Sequence, residues 1–139
     1  MHCTGANGEI ELSNVKRNTT IPFMATLGAG LQQTFVSSRI PYRFRIVHTS
    51  IVFNFGTGNN LLIYIMTSRT TTTSTTSVPP DTPVFSEYSP TPYFVGDGLI
   101  KCPPVDFYAD ADEQYVKVHA VNNSTVAQVV NVAVSVVEA

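Results

Sequence analysis

Four carboxylates crowd into one short stretch of this chain: DFYADADEQY (residues 106–115) carries Asp106, Asp110, Asp112 and Glu113. Closely spaced acidic side chains are candidates for calcium, which collects several oxygen ligands. Two of them could also serve glycoside hydrolysis, where opposed carboxyl groups flank the scissile bond. The spacing supports neither strongly: the stretch lacks the full ligand pattern of a calcium loop and its turn glycine, and nothing sets two carboxylates across a cleft. An acidic loop between strands is the commoner outcome of such a pattern.

Other reactive residue types are sparse. His48 and His119 have no evident third ligand or nucleophile beside them, as a metal site or a triad requires. No phosphate loop, dinucleotide fingerprint, GxSxG or HExxH motif occurs. No catalytic residue and no cofactor is therefore expected. Cys3 and Cys102 fit no zinc spacing and read as two unlinked thiols more readily than as a disulfide. Arg39, Arg43 and Arg45 are interleaved with Tyr42 and Phe44, a mixture that can stack on bases or sugars or form half of a protein contact. In a chain of net charge -2 and pI near 5.8, the contact reading is favoured and nucleic acid is not an expected partner.

Composition bounds the rest. The chain has 139 residues, 43% hydrophobic and only 13% charged, enough apolar matter for one core and too little charge for a disordered segment. A surface so poor in charge favours association. Residues 1–30 hold no basic stretch followed by a long apolar run, so neither a leader nor a membrane contact is expected.

The elements that must position these residues are strands. Val, Ile, Thr, Tyr and Phe dominate, and no window carries a sustained helical stripe. YVKVHAV (residues 115–121) alternates Val116, Val118 and Ala120 against Tyr115, Lys117 and His119, as a half-buried strand does. After the turn formers NNST, the last segment (residues 126–138) places Val126, Val130, Val132, Val134 and Val136 on one parity, and the two segments read as a hairpin. The opposite face of the last strand, with Val129, Asn131, Ala133 and Ser135, is small and uncharged and suits a protein neighbour. In YRFRIVHTSIVFNF (residues 42–55) the apolar phase changes near Ile46 and Val47, which predicts a bulge. After GTGNN, the nearly continuous apolar run LLIYIMTS (residues 61–68) predicts a strand covered on both sides. Weaker strand signals occur at EIELSNV (residues 9–15), residues 21–27, QQTFVSS (residues 32–38), YFV and GLIKC.

The Thr-rich segment at 69–83 has the composition of a glycosylated stalk, and Asn18, Asn122 and Asn123 head acceptor triplets. It is not an inter-domain linker: the valine face of residues 115–138 needs a sheet from the other side of it. An exposed excursion between strands of one domain is expected, ordered against a neighbouring subunit if at all. The domain reading is thus a flexible arm at 1–20 and a single antiparallel β-sandwich at 21–139, of the jelly-roll kind.

The segments FRIVHTSIVFNFGTGNNLLIYIMTS and EQYVKVHAVNNSTVAQVVNVAVSVVE resemble the small jelly-roll proteins of viruses and phages that decorate or cement capsids. That resemblance implies a non-enzymatic structural module, commonly a homotrimer, bound to a larger capsid or fibre protein of a virion and assembled in the host cytoplasm. Two alternatives stay open. A lectin-like sandwich would bind glycan through Tyr88, Tyr93, Phe94 and Tyr108, with the acidic loop for calcium. A subunit of a self-polymerising shell or filament would lend its arm to the next copy.

Overall fold

The computed structural model describes residues 16–85 and 93–139, and among these there is no helix. Nine strands follow in order: β1 (Asn18–Leu27), β2 (Gln32–Val36), β3 (Phe44–Phe53), β4 (Leu61–Ser68), β5 (Thr82–Pro83), β6 (Leu99–Lys101), β7 (Phe107–Tyr108), β8 (Tyr115–Asn122) and β9 (Gln128–Glu138). They form two packed antiparallel sheets. The first runs β1-β9-β3-β6, with β7 pairing the start of β3; the second runs β2-β8-β4-β5. The nested pairs β1·β9, β2·β8, β3·β6 and β4·β5 wrap the chain as a single jelly roll.

The core lies between the sheets and follows from alternation. Phe44, Ile46, Ile51 and Phe53 of β3 and Val130, Val132, Val134 and Val136 of β9 are buried from one side. Leu61, Ile63 and Ile65 of β4 and Val116, Val118 and Ala120 of β8 meet them from the other. The expected bulge is present: the register of β3 on β9 shifts between Ile46 and His48. It returns the later apolar residues of β3 to the core side. Phe55 and Val126, placed by parity with the core residues, lie instead in turns and are exposed.

Three further expectations need correction. The segments at 115–121 and 126–138 are not a hairpin: β8 belongs to the second sheet and β9 to the first, so the NNST turn crosses between sheets. Alternation tells which face of a strand is buried, not which sheet it joins. Residues 18–20 are not part of a loose arm, because β1 pairs with β9 from Asn18 onward; residues 1–15, including the strand signal at 9–15, lie outside the described residues. Cys102 is disulfide-bonded rather than a thiol, and Cys3 lies outside the described residues.

Among the described strands β1 lies at an edge, and this admits Pro22. Arg17 O accepts from Glu138 N, so the odd-numbered residues of β1 bond β9 and the even-numbered ones turn their backbone groups outward. Pro22 is even-numbered and removes no bond from the ladder. In β3, parity places Thr49 inside the core, where its hydroxyl has no hydrogen-bond partner among the described residues. Thr49→Val keeps the shape and removes the orphaned hydroxyl; urea unfolding is expected to show the variant more stable by about 1 kcal/mol.

Candidate functional site

Because nearly every connection crosses between the sheets, the turns gather at two ends, and the ends differ in chemistry. One end collects the β1–β2, β3–β4 and β8–β9 turns and the start of β6. Each contributes a large exposed apolar side chain: Leu31 is 58% exposed, Phe55 89%, Val126 57% and Leu99 41%. Asp97 is the only charged residue in these segments. The opposite end carries Arg17 with Glu138, Arg45 with Asp106, and Arg69 with Asp110 and Asp112.

The apolar end is stitched by hydrogen bonds. The buried Asn122 carboxamide donates to Leu27 O, Gly28 O and Val126 O at 2.9–3.1 Å. It also accepts from Ser124 N and Ser124 Oγ. Asn123 N donates to Asn60 O, Gly98 N to Asn54 O, and Gly56 N to the Asp97 carboxylate. Gly98 has φ +62°, and the Phe55 ring lies where a Cβ would stand; glycine meets both demands. Phe55 and Leu99 flank a shallow apolar groove of about 250 Å³.

The outer face of the second sheet is covered by the chain itself. The Thr-rich segment leaves β4, crosses β8 to reach β2, and returns to β5. Thr34 N donates to Ser74 O at 3.1 Å, and Ser74 N to Thr34 Oγ1 at 3.1 Å. Lys117, expected on a solvated face, is instead fully buried beneath the segment. Its ammonium donates to Thr72 O at 2.7 Å, Asp81 Oδ2 at 2.9 Å and Thr70 Oγ1 at 3.3 Å, which uses all three of its protons. His119, also buried, sits 2.9 Å from Gln32 Oε1 through Nε2 and 2.8 Å from Thr34 Oγ1 through Nδ1. The Gln32 oxygen only accepts, so Nε2 carries the proton and Nδ1 accepts from Thr34. Burial lowers the His119 pKa from its ordinary value. The segment is thus an ordered strap on its own sheet, not an excursion awaiting another subunit.

The residues singled out in the sequence do not converge. Asp106 pairs with Arg45, and Asp110 and Asp112 both face Arg69. Glu113 turns inward and accepts from Thr67 Oγ1, Thr82 Oγ1 and Asp110 N. Among the described residues no group of three or more His, Cys, Asp or Glu side chains is placed to hold a metal ion. His48 pairs with Ser135 in the first sheet and His119 with Thr34 in the second, so the two do not meet. The arginines part as well: Arg39 bonds Gln114, Arg43 precedes β3 and is exposed, and Arg45 stands over the Tyr108 ring.

The candidate stacking aromatics scatter too. Phe94 packs edge-on against Phe85 beside the core, Tyr93 pairs with Tyr64 of the second sheet, Tyr108 belongs to the first, and Tyr88 lies outside the described residues. Val129, Asn131, Ala133 and Ser135 are half-buried on the outer face of the first sheet, beside the exposed Met24 of β1. Of the glycan acceptors, Asn18 and Asn123 are exposed and Asn122 is buried. The apolar end escaped the sequence reading, since its residues come from four separate turn segments. The one local signal was a lone large apolar residue in each of GAGL, NFGTG and NSTVAQ, and Leu99 ahead of Ile100 in DGLI.

The strap makes two predictions. Asp81→Asn leaves the Lys117 ammonium buried without its counter-charge, and chemical denaturation is expected to show a loss of about 3–5 kcal/mol. The double change Lys117→Met with Asp81→Leu is expected to be neutral or stabilising. For His119, a folded-state pKa below the ordinary 6.5 means that the unfolded chain binds the proton more tightly. Its share of stability is complete above about pH 6.5 and falls as the pH drops below that value. Unfolding free energies measured from pH 8 to pH 5 are expected to decline less steeply in His119→Gln.

No protein-family model matches this chain and no curated protein matches it, so its function is read from the surfaces described above.

Proposed function

We propose that the protein is a non-enzymatic structural module of a virus or phage particle: a decoration or cement subunit that assembles with its own copies and caps a larger protein shell. The observation that carries this reading is the exposure of Leu31, Phe55, Leu99 and Val126 together at one end of the sandwich, where among the described residues Asp97 is the only charge in the turns. Interface cores are depleted of charge and enriched in aromatic side chains, and an exposed apolar patch rimmed by polar groups marks a contact site. The turns that present these side chains are fixed by backbone and Asn122 hydrogen bonds, so little conformational freedom is lost when they are covered.

In this reading the copies, three by the resemblance, meet through the apolar end. The small-residue face around Ala133, with Arg43 and Arg45 at its margin, lies against the shell. The scatter of the candidate aromatics over both sheets and the core gives no support to a glycan platform.

Absolute mass by light scattering, over a wide concentration range, tests the reading. The wild-type chain is expected to form a closed oligomer, and Phe55→Glu combined with Val126→Glu to weaken association at least about tenfold, as two truncated hot spots would. Both side chains are already exposed, so the thermal midpoint of the monomer is expected to stay within a few degrees. A chain that stays monomeric throughout, or an oligomer indifferent to the two charges, overturns the proposal.

A further inference from the structure

The two sheets treat their outer edges differently. In the second sheet, the strap meets the free edge of β2 where Thr34 N donates to Ser74 O. In the first sheet, no described strand pairs with the free edge of β1. There the outward backbone groups belong to the even-numbered residues, by the alternation that Glu138 N to Arg17 O establishes. An exposed edge of this kind is a template for one more strand.

A groove of about 490 Å³ runs along the first half of that edge, between residues 17–22 of β1 and its lead-in and residues 38–42 of the β2–β3 connection. It is basic. Of the eight Lys and Arg residues in the chain, Arg17 and Arg39 line it, Lys16 adjoins Arg17, and Arg43 follows the lining residue Tyr42. Against Arg17 and Arg39, the two cations that line the groove, stands Glu138, paired with Arg17 at 2.7 Å. Arg17 is further placed over the Tyr42 ring, 4.5 Å from its centroid, so its guanidinium is held at the groove.

We propose that this edge is a binding site for an extended acidic peptide, which adds to β1 as a further antiparallel or parallel strand and sets its carboxylates against Arg17 and Arg39. The backbone N–H and C=O of Asn18 and Thr20 supply the ladder. The guanidiniums supply the preference for carboxylates, which they bind in a fork geometry. A basic peptide of the same strand propensity meets like charge there. This site lies at the end opposite the apolar turns and does not rest on the assembly reading.

The test uses an alternating Glu-Val octapeptide and its Lys-Val counterpart, titrated into the full-length protein and followed by amide chemical shifts and calorimetry. The acidic peptide is expected to bind, shifting the amides of Asn18 and Thr20, and the basic one not to bind. Thr20→Pro removes an outward N–H without touching the β9 ladder, as Pro22 already does, and is expected to weaken the acidic peptide at least tenfold. Arg39→Glu is expected to do the same, and Asp97→Asn, at the other end, to leave binding unchanged. Unfolding curves check that the variants keep their stability. Equal binding of both peptides, or full binding by folded Thr20→Pro and Arg39→Glu, overturns the site. So does competition by inorganic phosphate that leaves the Thr20 amide unmoved, which would make the groove an anion site and not a strand acceptor.

Discussion

A strand in a two-layer sandwich can bury only one of its faces against the opposite sheet, and this chain has to dispose of the other face twice. The inner faces present no difficulty: valines and isoleucines of β9, β3, β4 and β8 meet across the layer. The outer faces are where the molecule acquires its character. The second sheet covers its outer face with a strap of the same chain, whereas β9 in the first sheet leaves small, half-buried side chains such as Ala133 and Ser135 at its outer face. The two ends repeat the asymmetry, one apolar and the other laced with ion pairs.

The strap is held by polarity, not by hydrophobic burial. Residues 69–81 contribute threonines, serines and prolines, whose burial alone gives little. A segment of that composition stays down only if its backbone groups find partners below. Thr34 and Lys117 supply them from two adjacent strands, and His119 holds the Thr34 hydroxyl from below. Lys117 sets the strictest demand, because its charge cannot be left in a dry site without Asp81, the Thr72 carbonyl and the Thr70 hydroxyl. Desolvation and the strap are therefore one cooperative unit: lifting the strap hydrates the ammonium, and closing it requires all three acceptors at once.

This explains which parts of the molecule were legible in the sequence. Period-two patterning marked the core faces of β3, β8 and β9, and the phase change at Ile46 and Val47 marked the bulge, because both are local consequences of pleat geometry. The pairing of β8 was not legible. A turn such as NNST is compatible with a hairpin or with a crossing between sheets, and only the nonlocal requirement that both sheets close decides. Lys117 and His119 looked solvated, since polar residues alternating with valines normally are; the strap that buries Lys117 lies more than thirty residues away in the chain, and the Gln32 and Thr34 side chains that bond His119 lie farther still. The acidic cluster at 106–113 was visible as a cluster and not as separate pairs, because the arginines that divide it come from β3 and from the start of the strap.

The apolar end is the strongest case of meaning created by topology. Leu31, Phe55 and Val126 each stand alone among small and polar residues, and Leu99 opens a strand of three; a lone apolar residue in a turn carries no periodic signal. In a meander of adjacent hairpins, the turns at one end would be spread along the width of a single sheet. In the jelly roll, strands β1, β3 and β8 all run toward one end, and β6 and β9 start there. The four side chains therefore meet by direction of travel, and Asn122, buried among the turns, ties β1 to the β8–β9 crossing so that they stay together. A surface assembled from four distant segments and fixed by a buried carboxamide together with backbone bonds between the turns persists only while the whole fold does, which couples any contact made there to the closure of both sheets.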